Sequence, residues 1–181
     1  RNVIDFGGAN GYLLSRIETE SPDPCKIVVD PMAPTQSSKQ LEGISYITSR
    51  AQDIVHPFSD ADHLALCINS ISAKSLTQCQ SMTAAIFSHR PNLFVSSFID
   101  SRVAAQLPNR LSYPLYHWNR DGVLEWAEHA SQKYGYAFDI SEVGSLHSDG
   151  PYIGKFFIAV FWPKESALAF LRTKTQVTGT Y

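Results

Sequence analysis

The chain opens with Arg1-Asn2-Val3-Ile4-Asp5-Phe6-Gly7-Gly8-Ala9-Asn10-Gly11, and this stretch decides the fold. Its apolar residues predict a short buried strand, with Asp5 near the carboxyl end. The glycines Gly7, Gly8 and Gly11 predict a turn, and the residues from Tyr12 onward predict a helix. A strand, a glycine turn and a helix form the first unit of nucleotide-binding α/β sheets, which bind ligands at the carboxyl ends of their strands. Glycines there let the backbone approach a ligand closely, and the helix N-terminus offers free N–H groups.

The rest of the sequence alternates between strand and helix patterns, which predicts a doubly wound, mostly parallel α/β sheet. The predicted strands cover Val3–Phe6, Lys26–Asp30, Ser45–Thr48, His63–Ile68, Leu93–Ile99, Ala137–Val143 and Gly154–Trp162. Longer helices are predicted at Ser75–Phe87 and Asp121–Tyr134, the second with Asp121 as its cap and Gly135 just past its end. We expect one main domain over residues 1–163 and a short helix and tail over residues 164–181.

Length and composition indicate a globular intracellular chain. Its 181 residues are enough for a sizeable core, and 44% of them are hydrophobic. Three cysteines without C-x-x-C spacing predict reduced thiols, and hence a cytoplasmic or nuclear location. The longest apolar run, Phe156–Trp162, is too short to span a bilayer, so no membrane partner is expected.

The glycine turn does not match the common nucleotide motifs. A dinucleotide site needs G-x-G-x-x-G, but counting from Gly7 the second and third glycine positions hold Ala9 and Tyr12. A P-loop is excluded as well, since no Gly-Lys-Ser/Thr follows. The remaining pattern, Asp-x-Gly-x-x-x-Gly, resembles the first motif of S-adenosylmethionine-dependent methyltransferases. That resemblance implies a turn that wraps the amino-acid end of the cofactor.

The same resemblance implies an acid at the end of the second strand that accepts hydrogen bonds from the ribose hydroxyls. Asp30 fits this role, because a carboxylate can accept from both hydroxyls. The alternative is that Asp30 only opens the turn before Pro31. The cofactor-binding residues that the resemblance implies are Asp5, Gly7, Gly8, Gly11 and Asp30.

Three residues depart from the methyltransferase pattern and predict a weakened or empty S-adenosylmethionine pocket. Ala9 replaces a usual glycine, and Asn10 replaces the acid common before the last glycine. Arg50 stands where an adenine-binding acid is often found, unless Asp53 takes that role.

The second half of the chain resembles a narrower family, the small-RNA 3′-terminal ribose 2′-O-methyltransferases. The resemblance lies in Trp118-Asn119-Arg120, in a Trp-Ala-rich helix ending at Gly135-Tyr136, and in the strand ending Ala159-Val160-Phe161. It covers most of the chain and implies the class I methyltransferase fold, a seven-stranded sheet with an antiparallel terminal strand.

That family is implied to hold a divalent metal with two glutamates and two histidines. The positions that match these four ligands hold Asn69, Ser72, Ala73 and Pro114. A fifth family position, a polar residue expected after the fifth strand, holds Ile99. None of these side chains suits the metal, so we expect neither a metal site nor catalytic residues. The run Glu125-Trp126-Ala127-Glu128-His129 matches the family's Glu-x-x-Glu-His letters, but it falls on a helix and is interpreted as a solvated face.

These observations predict a non-catalytic interaction or scaffold module of an RNA-silencing or RNA-processing protein. The alternative is an active S-adenosylmethionine-dependent RNA methyltransferase with a rearranged site. The net charge of −2 gives no general attraction to nucleic acid, so a protein partner is expected ahead of RNA. RNA contact would fall to Arg102–Arg120, which carries arginines and aromatic residues but no acid. For this segment, core packing or a protein contact is expected ahead of RNA binding.

Overall fold

The structure is a computed structural model, and it describes residues 2–18, 25–34, 40–54, 58, 63–68, 70–71, 75–99, 118–144 and 155–166. The strands are β1 (Asn2–Phe6), β2 (Lys26–Val29), β3 (Ile44–Ile47), β4 (His63–Cys67), β5 (Leu93–Ile99), β6 (Tyr136–Gly144) and β7 (Lys155–Pro163). The helices are α1 (Tyr12–Arg16), α2 (Leu76–Ser88) and α3 (Arg120–Tyr134), and a 3-10 turn covers Ala51–Asp53. Within these ranges, no helix is both long and apolar enough to cross a membrane.

All seven strands form one sheet in the order β3-β2-β1-β4-β5-β7-β6. The first five strands are parallel, and β7 is antiparallel to both β5 and β6. The predicted doubly wound, mostly parallel seven-stranded sheet with an antiparallel terminal strand is therefore confirmed. The order reverses at β1, which has β2 on one side and β4 on the other, so the switch point lies between β1 and β4. Ligands bind at such points in open α/β sheets.

Apolar residues cover both faces of the sheet, as the near-continuous apolar strands require. In β1, Ile4 and Phe6 belong to the larger core, which also contains the buried faces of α2 and α3. Val3 belongs to the smaller core, together with Leu14 of α1. Alternate residues of β1 thus pack into the cores on opposite faces of the sheet.

An aromatic cluster joins the sheet to its helices. Phe161 of β7 is fully buried and lies 5.3 Å, centroid to centroid, from Trp126 of α3. Its ring also contacts Phe87 of α2 and stacks on Phe94 of β5. Trp126 donates a 3.1 Å hydrogen bond from Nε1 to Thr83 Oγ1, which satisfies the buried indole.

The helix ends agree with the sequence predictions except at one cap. Gly135 adopts a left-handed φ of +77° just past α3, as predicted. The predicted cap Asp121 is wrong: Asn119 is the N-cap, and its Oδ1 accepts from Gly122 N–H at 2.8 Å. Asp121 is the second residue of the helix, where its negative charge interacts favourably with the helix dipole. Of the short helix and tail predicted over residues 164–181, the structure describes only residues 164–166, which are helical.

Candidate cofactor site

The glycine turn at the end of β1 is a tightly bonded loop. Gly7 and Gly11 have φ angles of +84° and +78°, and Ala9 also lies in the left-handed region at +50°. Gly7 N–H donates to Val29 O at 2.7 Å, and Gly11 N–H donates to Gly8 O at 2.9 Å. Glycine is favoured at positions 7 and 11 because other residues rarely adopt these φ angles. Ala9 adopts a left-handed φ nonetheless. The turn is therefore formed even though alanine stands where the resembled methyltransferases usually have glycine.

Asp30 holds the glycine turn from the end of β2. Its Oδ2 accepts from Ala9 N–H at 3.1 Å, and its Oδ1 accepts from Met32 N–H at 2.6 Å. The second bond is the local turn that the alternative interpretation of this residue predicted. The first bond orients the carboxylate toward the glycine turn. Each oxygen still has one lone pair for another donor, so the geometry is compatible with two ribose hydroxyls.

The Asp5 side chain packs against Gly8 of the turn and is only 2% exposed. An added Cβ on Gly8 would lie 2.6 Å from Asp5 Oδ2, so glycine is required at this position. Burial, and then the negative charge of Asp30, raises the pKa of Asp5 from 3.8 to about 7. Asp5 is therefore buried within the site and offers little surface to a ligand.

Two residues that the sequence analysis did not select complete the turn's contacts. Ser70 Oγ donates to the Gly7 carbonyl at 2.8 Å, and it would collide with a Cβ on Gly7. Tyr46 Oη donates to Asn10 O at 2.9 Å and lies 2.9 Å from the Cβ position of Gly11. Ser70 could have been suspected, because it lies between Asn69 and Ser72, two positions at which the resemblance implies metal ligands. No sequence signal indicates Tyr46, which belongs to the third strand.

The turn keeps two donors for a ligand. The N–H groups of Ala9 and Tyr12 donate to Asp30 and to Asn10 Oδ1, respectively. Within the part of the chain that the structure describes, the N–H groups of Gly8 and Asn10 have no acceptor. These two donors and the Asp30 lone pairs fit the polar groups of a nucleoside. We call residues 7–11 with Asp30 the cradle.

The implied metal site does not fit this chain. Asn69, Ser72, Ala73 and Pro114 lie outside the described residues, and their side chains are unsuited to the metal. Ile99 pairs with Phe156 in the β5–β7 ladder. The described ranges contain no group of three His, Cys, Asp or Glu residues that could hold a metal ion.

The Glu-x-x-Glu-His run lies on α3, as predicted. Glu125, Glu128 and His129 are exposed, whereas Trp126 and Ala127 between them face the core. The run is therefore the outer side of an amphipathic helix, and its letters do not form a ligand set.

The segment Arg102–Arg120 is described only from Trp118 onward. Trp118 is 1% exposed and packs edge-on against Phe98, with ring centroids 4.8 Å apart. This tryptophan belongs to the core and presents no face on which a base could stack.

Comparisons with known proteins identify the fold. No family model and no curated protein sequence matches the chain. The solved structure of the small-RNA methyltransferase HEN1 matches with a TM-score of 0.71 at 21% identity, over 91% of this chain and 24% of that chain. The methyltransferase domain of bacterial CtHen1-C matches with a TM-score of 0.66 at 21% identity, over 90% of this chain and 89% of that one. The plantazolicin methyltransferase BamL, solved with a triazolic desmethylPZN analog and SAH, gives 0.67 at 8% identity, over 89% and 76%.

The chain thus has the methyltransferase fold and spans about a quarter of the length of the HEN1 chain that it matches. The predicted fold is confirmed at the level of this class. The narrower small-RNA family stays a prediction, because the sequence identities are low.

Proposed function

We propose that this chain is a methyltransferase-like domain that keeps a nucleoside-binding cradle but has lost metal-dependent methyl transfer. In this role it is a non-catalytic interaction or scaffold module of an RNA-silencing or RNA-processing protein. The observation that carries the proposal is the set of residue types at the five family positions, none of which can replace the implied side chains.

The end of β5 illustrates the loss. Where the resemblance implies a Pro-Asn pair, the chain has Phe98 and Ile99, the last two residues of β5. Phe98 is fully buried against Trp118 and Trp126, and Ile99 continues the ladder with Phe156. The asparagine of that pair falls at Ile99, whose apolar side chain cannot supply the amide group.

Methyl transfer from labelled S-adenosylmethionine to the 3′ end of a small RNA, with manganese or magnesium present, tests the proposal. We expect no transfer above the level of a chain-free control. Transfer that Asp30→Asn abolishes would overturn the proposal and establish the active enzyme instead.

The active enzyme is the second candidate, and the intact cradle favours it. Asp30 and the turn donors would hold S-adenosylmethionine, which supplies the transferable methyl group when bound. Transfer would then need an activating group outside the family positions. Micromolar cofactor binding by calorimetry is expected for this candidate, and Asp30→Asn should weaken it by about tenfold.

The same proposal includes a protein partner ahead of RNA, because the net charge of −2 gives no general pull toward phosphates. RNA binding through Arg102–Arg120 would have to rest on its arginines, since Trp118 is buried. Salt-dependent binding of a small RNA that weakens in Arg102→Gln and Arg110→Gln would favour RNA over protein.

A further inference from the structure

The crevice between β1 and β4 is where an open sheet of this order receives its ligand. Ser70 bridges that crevice. Its Oγ donates to Gly7 O at 2.8 Å, which links the segment after β4 to the turn after β1. The hydroxyl lies against the Cα of Gly7, in the space that a side chain there would occupy.

The bridge is held firmly on the β4 side. Ile71, the next residue, is fully buried in the larger core. Its carbonyl accepts from Cys79 Sγ of α2 at 3.0 Å. Because this fully buried neighbour fixes the backbone beside it, Ser70 stays next to Gly7. Its hydroxyl also has a longer contact, 3.4 Å, to Ile68 O directly after β4.

A nucleoside in the cradle would meet this bridge at one end. Asp30 lies at the end of β2, on the opposite side of β1 from β4. The glycine turn therefore lies between Ser70 and a ribose held at Asp30. A long 5′ substituent on that ribose has to cross the turn and enter the crevice between β1 and β4, where Ser70 lies. Ser70 Oγ occupies the space against the Gly7 Cα, so a tail that crosses the turn meets this hydroxyl. Asp5 is buried against Gly8 and offers the ammonium of such a tail no accessible carboxylate.

We infer that the Ser70 bridge restricts the crevice to nucleosides with a short, uncharged 5′ substituent and disfavours the amino-acid tail of S-adenosylmethionine. The inference rests on the nucleoside cradle of the proposed function. It also gives that function a physical cause, because a site that rejects the tail rejects the ordinary methyl donor.

Calorimetry with two related ligands tests the inference. The probes are 5′-methylthioadenosine, which lacks the amino-acid tail, and S-adenosylhomocysteine, which carries it. We expect the first to bind at least about tenfold more tightly than the second. In Ser70→Gly, S-adenosylhomocysteine affinity should rise by about tenfold, while 5′-methylthioadenosine affinity should change by less than about twofold.

Two variants make the result specific. Ser141→Gly applies the same chemical change on the exposed β6 strand and should leave both affinities unchanged. Ser70→Ala removes only the hydroxyl and is used if the glycine variant does not fold. It should give a smaller rise in S-adenosylhomocysteine affinity.

The outcomes separate the inference from the proposed function. Equal or tighter binding of S-adenosylhomocysteine by the unmodified chain overturns the inference and leaves the cradle standing. Failure of both nucleosides to bind overturns the cradle together with the inference.

Discussion

The Asp5 carboxyl lies beneath the glycine turn and is almost wholly withdrawn from water. Its pKa of about 7 means that the folded chain holds this proton far more tightly than the unfolded chain, in which the pKa is 3.8. Stability associated with Asp5 is therefore present below pH 3.8 and is lost as pH rises toward 7. Perturbed acids of this kind concentrate at functional sites.

Asp5→Asn should remove this dependence. At pH 8 the charged Asp5 costs on the order of 4 kcal/mol, so the variant should be more stable than the unmodified chain there. At pH 5 the carboxyl is protonated in the folded state, and the gain should be much smaller. Urea unfolding at both pH values measures the difference, and a gain that is equal at the two values would contradict the assignment.

The residues of the cradle and those that contact it divide into residues that sequence can predict and residues that it cannot. Asp5, the glycines and Asp30 lie in local motifs, so their places at the strand ends followed from the pattern. Ser70 and Tyr46 contact the turn from 63 and 36 residues away, respectively. Such contacts depend on how strands are ordered in the sheet, and no local spacing records that.

Helix α3 shows the same contrast at the level of an element. Both Asn119 and Asp121 are residue types that cap helices, and the prediction from sequence is Asp121. Backbone geometry decides the matter, since Asn119 is extended with φ of −123° and ψ of 174° while the helix already includes Arg120. A two-residue error at a helix end is typical of boundaries inferred from sequence.

Asn119→Ala should lower the free energy of unfolding by about 1 kcal/mol, because Gly122 N–H loses its acceptor. Asp121→Ala is the matched control and should cost only about 0.3–1 kcal/mol through the helix dipole. Urea denaturation of the two variants at one pH gives the comparison. A larger loss in the Asp121 variant would restore the original assignment.

The aromatic cluster around Phe161 joins one side of the sheet to the two longer helices, because it brings together β5, β7, α2 and α3. Phe161→Ala should cost about 3–5 kcal/mol, since the ring is fully buried and the surroundings can collapse only in part. Phe156→Ala in the same strand is the control, because its side chain is only partly buried. Equal losses in the two variants would show that the cluster is not the centre of the core.

The insertion of β7 between β5 and β6 also bears on how the chain is made. A ribosome delivers β5 and β6 first, yet neither has its neighbour until residues 155–163 have emerged. During that interval the β5 edge, which later pairs with β7 from Phe94 to Ile99, has no partner strand on that side. A nascent or prematurely terminated chain would therefore present an apolar strand edge of the kind that recruits chaperones or other copies of itself.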